Sequence, residues 1–454
     1  RGLRGAAAGR NGETCVNIVL DEEVTGMKMR SKTLPAPLFA LAVVLTLTGA
    51  ASPGLVGPAP AEQPALHAGP DIDPSSGAPS PRGTDPSPRW IAAWGATPEG
   101  TQSAPADSSV RNIVRISVTG TEVRVRIANP RPGGPSLSVG SATVALQQGT
   151  LGADVVPGTT TVLTFDGKPG IVVAPGTDAV YSDAVTFPVT ANSNLAVTLH
   201  LPLAANPDVG GSQWNSSYAT TAGGGDQTGN ESGSAFPTVL DETYALTAVD
   251  VLSTDADGAF VGLGSSTLHG SNSTRDGYDR VLDLLITRNQ TEVAAGNRKG
   301  IVGAGIGGDT LHAAVGRLDR DVLSQSGVTG VVVWATNDLI TRTAAQIIAD
   351  YEIVIARSHA ADVKVLCPTW LPAAQSLGAS EERSKLNDWI GNSGRCDDTV
   401  DWDRTMRSDS RSDSFQAEFF SDGIHPNAAG HAALSEATPL RWFTDQPYPL
   451  RYRG

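Results

Sequence analysis

Between residues 90 and 252, apolar and polar positions alternate in short runs. Residues 113–118, 122–127, 161–165 and 194–201 place Val, Ile, Leu or Phe at roughly every second position, with Gly, Pro and Asn turns between them. Strands at that spacing, without helical stretches, predict a β-sandwich-like domain. Residues 210–237 are polar and Gly-rich and read as a long surface loop. From residue 253 the pattern changes. Apolar, β-branched runs at 259–263, 300–302, 328–334, 363–366 and 399–402 alternate with helical spacing over 276–295, 309–323, 343–360 and 381–390. Strand followed by helix, repeated, predicts a three-layer α/β domain with a parallel sheet over 253–454. Asp309 and Thr343 stand where helix N-caps or first-turn residues belong.

The N-terminal part is of a different kind. Lys28, Arg30 and Lys32 precede an apolar run at 38–47 and then small residues, the pattern of a signal peptide over 27–51. The apolar run is shorter than the roughly 20 residues a membrane span needs, so no stable membrane anchor is expected after cleavage. Residues 1–26 read as a mistranslated upstream leader, because Glu22-Glu23-Val24 can be encoded by a purine-rich ribosome-binding sequence ahead of Met27. Residues 52–89, rich in Pro, Ala, Gly and Ser, read as a flexible spacer.

Charge narrows the partners. The net charge is -14, of which the first 51 residues contribute +2, leaving -16 on the rest. Such a body repels nucleic acid and anionic membranes, whereas neutral, acylated or carbohydrate substrates meet no barrier. With Cys15 inside the leader, Cys367 and Cys396 remain. An even pair in an exported chain favours a disulfide. Strand geometry weighs against it, because one cysteine ends a strand and the other precedes the next, at opposite edges of a parallel sheet and more than ~10 Å apart at the rise per residue of a strand.

Four loops carry the candidate chemistry. Gly264-Ser265-Ser266-Thr267, Gly305-Ile306-Gly307-Gly308-Asp309 and Ala335-Thr336-Asn337-Asp338 each follow a strand-like run, and Asp422-Gly423-Ile424-His425-Pro426-Asn427 leads into the last helix. Open parallel sheets put their sites at the carboxyl edge that such loops share. Ser266 is the candidate nucleophile and needs a base to take its proton. His425 can supply one, with Asp422 accepting from its other ring nitrogen. Ser266 N–H, Gly308 N–H and the Asn337 amide are candidate oxyanion donors, each able to contribute about 3 kcal/mol. Glycine at 308 would let a backbone donor approach without a Cβ in the way. Asp338 ties down its own loop. His269, His312, His359 and His431 read as surface or packing residues, and neither a metal site nor a cofactor site appears.

These blocks, in this order, resemble the SGNH/GDSL hydrolase family over nearly all of the chain from residue 259 to the terminal helix. Long secreted bacterial members are similar upstream as well, over residues 90–203, through Arg111-Asn112-Ile113-Val114-Arg115-Ile116-Ser117 and Val123-Arg124-Val125-Arg126-Ile127-Ala128-Asn129. The resemblance implies a secreted serine esterase that passes through an acyl-enzyme on Ser266 and acts on short acyl esters or acetylated polysaccharide. The β domain would then be a positioning or carbohydrate-binding module. Three positions depart from the family pattern. Ser265 stands for the usual Asp of Gly-Asp-Ser, His269 stands where a second acid is common, and Ala335 replaces a Gly. The alternatives are therefore a weakened or inactive binding protein on the same fold, or a lipase or thioesterase of the same mechanism. The sequence leaves the oligomeric state open.

Overall fold

The computed structural model describes residues 87–211, 213–372, 377–408 and 411–444. The segments expected to be a leader and a signal peptide, and nearly all of the expected spacer, lie outside the described residues. Alternation sets up the β half. Val123, Val125 and Ile127 point to one face of the strand Gly120–Asn129, and Val125 and Val123 pair across to Val249 and Val251 of Leu246–Ser253. These two strands belong to a five-stranded antiparallel sheet with Arg89–Gly95, Thr177–Tyr181 and Val185–Val189. A six-stranded sheet centred on Ser108–Arg115 and Asn194–Leu201 supplies Val114, Leu195, Val197 and Leu199 to the same core.

The two arginines of Gly120–Asn129 are not left to solvent. Arg124 pairs with Asp250 at 2.9 Å and donates to Ser326, and Arg126 reaches Ser324, so the strand's second face meets the α/β half. Burial is greatest on the strand Leu246–Ser253, whereas Thr186 and Pro188 on the edge strand Val185–Val189 are exposed.

In the α/β half, β1 (Ala256–Gly264), β2 (Arg298–Gly305), β3 (Val328–Trp334), β4 (Lys364–Pro368) and β5 (Asp398–Val400) form a parallel sheet in the order β2-β1-β3-β4-β5. The order reverses between β1 and β3, and that reversal opens a crevice at the carboxyl edge of β1. Helices α1 (Ser266–His269), α2 (Val281–Glu292), α3 (Leu311–Leu318), α4 (Ala344–Ala360), α5 (Leu377–Asn392), α6 (Trp402–Met406) and α7 (Ala428–Ala437) complete the layers. Thr343 caps α4 through a capping box with Gln346. For α3 the expectation is corrected. Thr310, not Asp309, is the N-cap, accepting from Ala313 N–H at 3.1 Å, and the Asp309 carboxylate turns to Arg317. Among the described residues no helix is long and apolar enough to cross a membrane.

Two further expectations are corrected. Cys367 and Cys396 form a disulfide with Cα atoms 6.1 Å apart. Their strands have only five and three residues, and Cys396 sits in a bend rather than on an extended lead into β5, so a full strand length never separates them. The polar stretch 210–237 is not a surface loop throughout. It holds the strand Ser217–Ala219, and Gly210, Gly211, Gln213 and Asn215 are buried.

Gln213 is wedged between the halves. Its side chain donates to Gly95 O and Gly303 O and accepts from Arg280 at 3.0 Å, while its backbone holds φ at +57°. Glycine at 213 would relieve about 1 kcal/mol of backbone strain but would leave buried polar partners unsatisfied, at roughly 1–3 kcal/mol each. Gln213→Gly is therefore expected to lower the urea midpoint while the whole body still unfolds in one transition. An unchanged or raised midpoint would refute this account of the wedge.

Candidate active site

The carboxyl ends of the strands bring the four loops together. Gly264 ends β1, and Ser266 opens α1, a single turn capped by left-handed Gly270. The first N–H groups of a helix lack intrahelical acceptors, which leaves the Ser266 amide available beside its own hydroxyl. His425 arrives from the other end of the chain. Its Nε2 lies 2.8 Å from Ser266 Oγ, and its Nδ1 lies 2.7 Å from Asp422 Oδ2.

The loop that carries His425 is shaped by Asp422. The other carboxylate oxygen accepts from Ile424 N–H at 2.9 Å and His425 N–H at 2.8 Å, with Gly423 between them at φ +79°. Burial alone would push the Asp422 carboxyl up, but the hydrogen bonds from the His425 ring and these two amides outweigh it. They hold the carboxyl well below the usual carboxylate range. Asn427 then caps α7 by accepting from Gly430 N–H at 3.0 Å, which anchors the loop's far end.

The other two oxyanion candidates, Gly308 and Asn337, lie on neighbouring loops that a Thr310–Thr336 bridge holds in register. Asn337 Nδ2 donates to Asp309 O at 2.8 Å, which fixes the amide and leaves its second hydrogen for a ligand. Gly308 has φ +75°, and a Cβ built there would meet nothing within 4 Å. The left-handed backbone at 308 favours glycine, and no protein atom crowds the position. Asp338 also acts more widely than expected. Its buried carboxylate accepts from Leu311 N–H at 2.5 Å and His312 N–H at 3.3 Å, tying the start of α3 to the Asn337 loop.

Ser266, Asn337 and His425 line a cavity of about 150 Å³ together with Thr267, Thr336 and the apolar Trp334, Leu339, Ile340, Trp370, Leu371, Pro372 and Ile424. Gly308 and Asp422 lie outside that lining. The apolar walls were not read from the sequence, where Trp370 lies just past a strand and carries no motif. A wider, open depression in the β half, beside Asp166 and Lys168, contains none of the candidate groups. Among the described residues no group of three or more His, Cys, Asp or Glu is placed to hold a metal ion.

The departures from the family pattern have physical consequences. Ser265 is buried, its hydroxyl 3.4 Å from that of Thr336. His269 turns from the cavity toward the β half, its ring edge-on to Trp214 with centroids 6.1 Å apart and filling the space a Cβ on Gly211 would need. The segment after α1 is held by the same β-half loop, since Asp276 accepts from Ser216 N–H at 2.6 Å and Ser216 Oγ at 2.8 Å.

Burial, reinforced by the Arg280 charge, pushes His269 down to about 4. His431, fully buried on α7, accepts from Val281 N–H at 3.2 Å and is likewise pushed down to about 4, chiefly by burial. His312 and His359 pair with Asp350 and Asp397 away from the cavity.

The sequence model of the GDSL-like Lipase/Acylhydrolase family matches residues 263–433. Solved structures similar to part of this chain include a putative acylhydrolase from Bacteroides fragilis, 22% identical over 39% of this chain and 83% of its own, with a TM-score of 0.32. A lipase/acylhydrolase from Enterococcus faecalis is 21% identical over 40% of this chain and 92% of its own, with a TM-score of 0.33. A psychrotrophic esterase from a Pseudoalteromonas species is 19% identical over 40% and 94%, with a TM-score of 0.31. No curated protein matches the chain.

The two buried imidazoles give an acid-stability expectation. In the folded protein both titrate near 4, below their ordinary value of about 6.5, so the fold prefers their neutral form. Their contribution is fully present above pH ~6.5 and is lost as the pH falls from there through ~4. Urea midpoints measured between pH 7 and pH 4 should decline across that window, and His431→Gln should flatten the decline. A midpoint that stays level over the window in the parent protein would contradict the assignment.

Proposed function

We propose, on the premise that residues 263–433 form a GDSL-like Lipase/Acylhydrolase domain, that the protein is an exported serine esterase working through an acyl-enzyme on Ser266. One observation carries the reading: the 2.8 Å contact from His425 Nε2 to Ser266 Oγ, backed by the 2.7 Å contact from Nδ1 to Asp422. Both fall in the range over which a general base can act. Ser266 Oγ attacks the ester carbonyl as its proton passes to His425 Nε2. Asp422 keeps the other ring nitrogen protonated and stabilises the imidazolium. The oxyanion is received by the Ser266 and Gly308 amides and the Asn337 side chain. His425 then returns the proton to the leaving alcohol, and a water activated by the same ring releases the acid.

The substrate side of the proposal rests on charge and on the cavity. A body of net charge -16 beyond residue 51 favours neutral esters, and a cavity of about 150 Å³ suits a short acyl group. Short acyl esters, including those on acetylated polysaccharide, fit both. Export rests on the charged, apolar and small-residue succession over residues 27–51.

The departure at Ser265 supports a second reading, a weakened or inactive binding protein. Hydrolysis of p-nitrophenyl acetate separates the two. Ser266→Ala and His425→Ala are each expected to lower kcat by roughly 10⁴-fold to 10⁶-fold. A parent protein no faster than its variants would leave the binding-protein reading.

A further inference from the structure

Helix α3 buries Leu311, Ala314 and Leu318, and on the same side it also buries a charge, Arg317, whose side chain is only 8% exposed. A guanidinium has five N–H donors, and here each has a use. Nη2 donates to Gly264 O at 3.0 Å and Asp309 Oδ2 at 2.6 Å, and Nε donates to the same carboxylate oxygen at 2.9 Å. Nη1 donates to Ala304 O at 2.8 Å and Asp321 Oδ2 at 3.1 Å. Gly264 lies two residues before Ser266, Asp309 directly follows Gly308, and the Asp309 carbonyl accepts from Asn337. One planar cation therefore connects the backbone behind the nucleophile to both loops that carry the other oxyanion donors. The carboxylate the family pattern would put at 265 is absent, and Ser265 offers only a hydroxyl at 3.4 Å from Thr336.

We propose that Arg317 is a positioning residue that sets the spacing of Ser266 N–H, Gly308 N–H and the Asn337 amide, so that the three converge on the oxyanion without contact between Arg317 and substrate. The proposal rests on Ser266 being the nucleophile. A donor set misplaced by a fraction of an ångström weakens transition-state binding more than ground-state binding. Lysine at 317 keeps the charge but cannot span four acceptors in a plane.

The test compares Arg317→Lys with Asp321→Asn, which perturbs the same cation on the side facing away from the site. For p-nitrophenyl acetate, Arg317→Lys is expected to lower kcat by on the order of 10²-fold with KM nearly unchanged. It should weaken a trifluoromethyl ketone, which binds as a tetrahedral oxyanion, by the same factor. Asp321→Asn should lower the urea midpoint while kcat stays close to that of the parent. A kcat loss no larger in Arg317→Lys than in Asp321→Asn, or a rise in KM alone, overturns the proposal. If Arg317→Lys does not fold, Asp309→Asn, which weakens the same bond from the other side, carries the same expectation and the same refutation. If the parent protein is inert toward esters, the esterase reading fails on its own. The positioning claim is then decided by selective ¹⁵N resonances of Gly308 N–H and the Asn337 amide. These should move in Arg317→Lys and stay in Asp321→Asn, and resonances that stay in both sink it.

Discussion

The His425 ring hangs between two oxygens that come from opposite ends of the α/β half, Ser266 at the tip of β1 and Asp422 just before α7. The contact with Asp422 is local to one loop, but the contact with Ser266 needs β1 inside the sheet, between β2 and β3, and the loop ahead of α7 returned to its carboxyl end, so the site depends on the strand order β2-β1-β3-β4-β5. The local chain is built around the same contact. Asp422 spends one carboxylate oxygen on two backbone amides of its own loop and the other on the imidazole, so the group that orients the His425 ring also shapes the loop that carries it.

The β half contributes more to this edge than an attached module would. Arg124 and Arg126 of its five-stranded sheet reach Ser326 and Ser324, Gln213 is inserted beside Gly303, and the loop ahead of Ser217–Ala219 grips both His269 on α1 and the segment after it. The turn that presents Ser266 is therefore packed from the β-half side as well as from its own sheet. His269 illustrates the trade. Where an acid would face the site, a neutral imidazole faces the neighbouring sheet, and burial keeps it neutral.

How much of this was legible in the sequence depended on whether the signal was local. The four loops stood out because each follows an apolar run and each carries residue types with a chemical use. Thr343 was readable because a capping box is a four-residue pattern. The disulfide was misjudged because strand lengths were taken as full, and a bend at Cys396 cannot be seen in composition. Residues 210–237 were misread because Gly and polar residues signal a loop whether the backbone faces water or another sheet. Gly308 was picked out by residue type and loop position, and its positive φ is invisible without the backbone. Arg317 left only a faint trace, a cation falling with Leu311 and Ala314 at helical spacing, and its partners are backbone carbonyls that no sequence displays.

The central claim is that hydroxyl, imidazole and carboxylate act as one unit at the rim of the sheet. It is tested most directly by the rate and position of covalent labelling with a fluorophosphonate, with the modified peptide mapped. The account predicts a single adduct on Ser266, formed at least ~10²-fold more slowly in His425→Ala because proton transfer from the hydroxyl is lost. An adduct on another serine, or labelling of Ser266 at the same rate without His425, would contradict it.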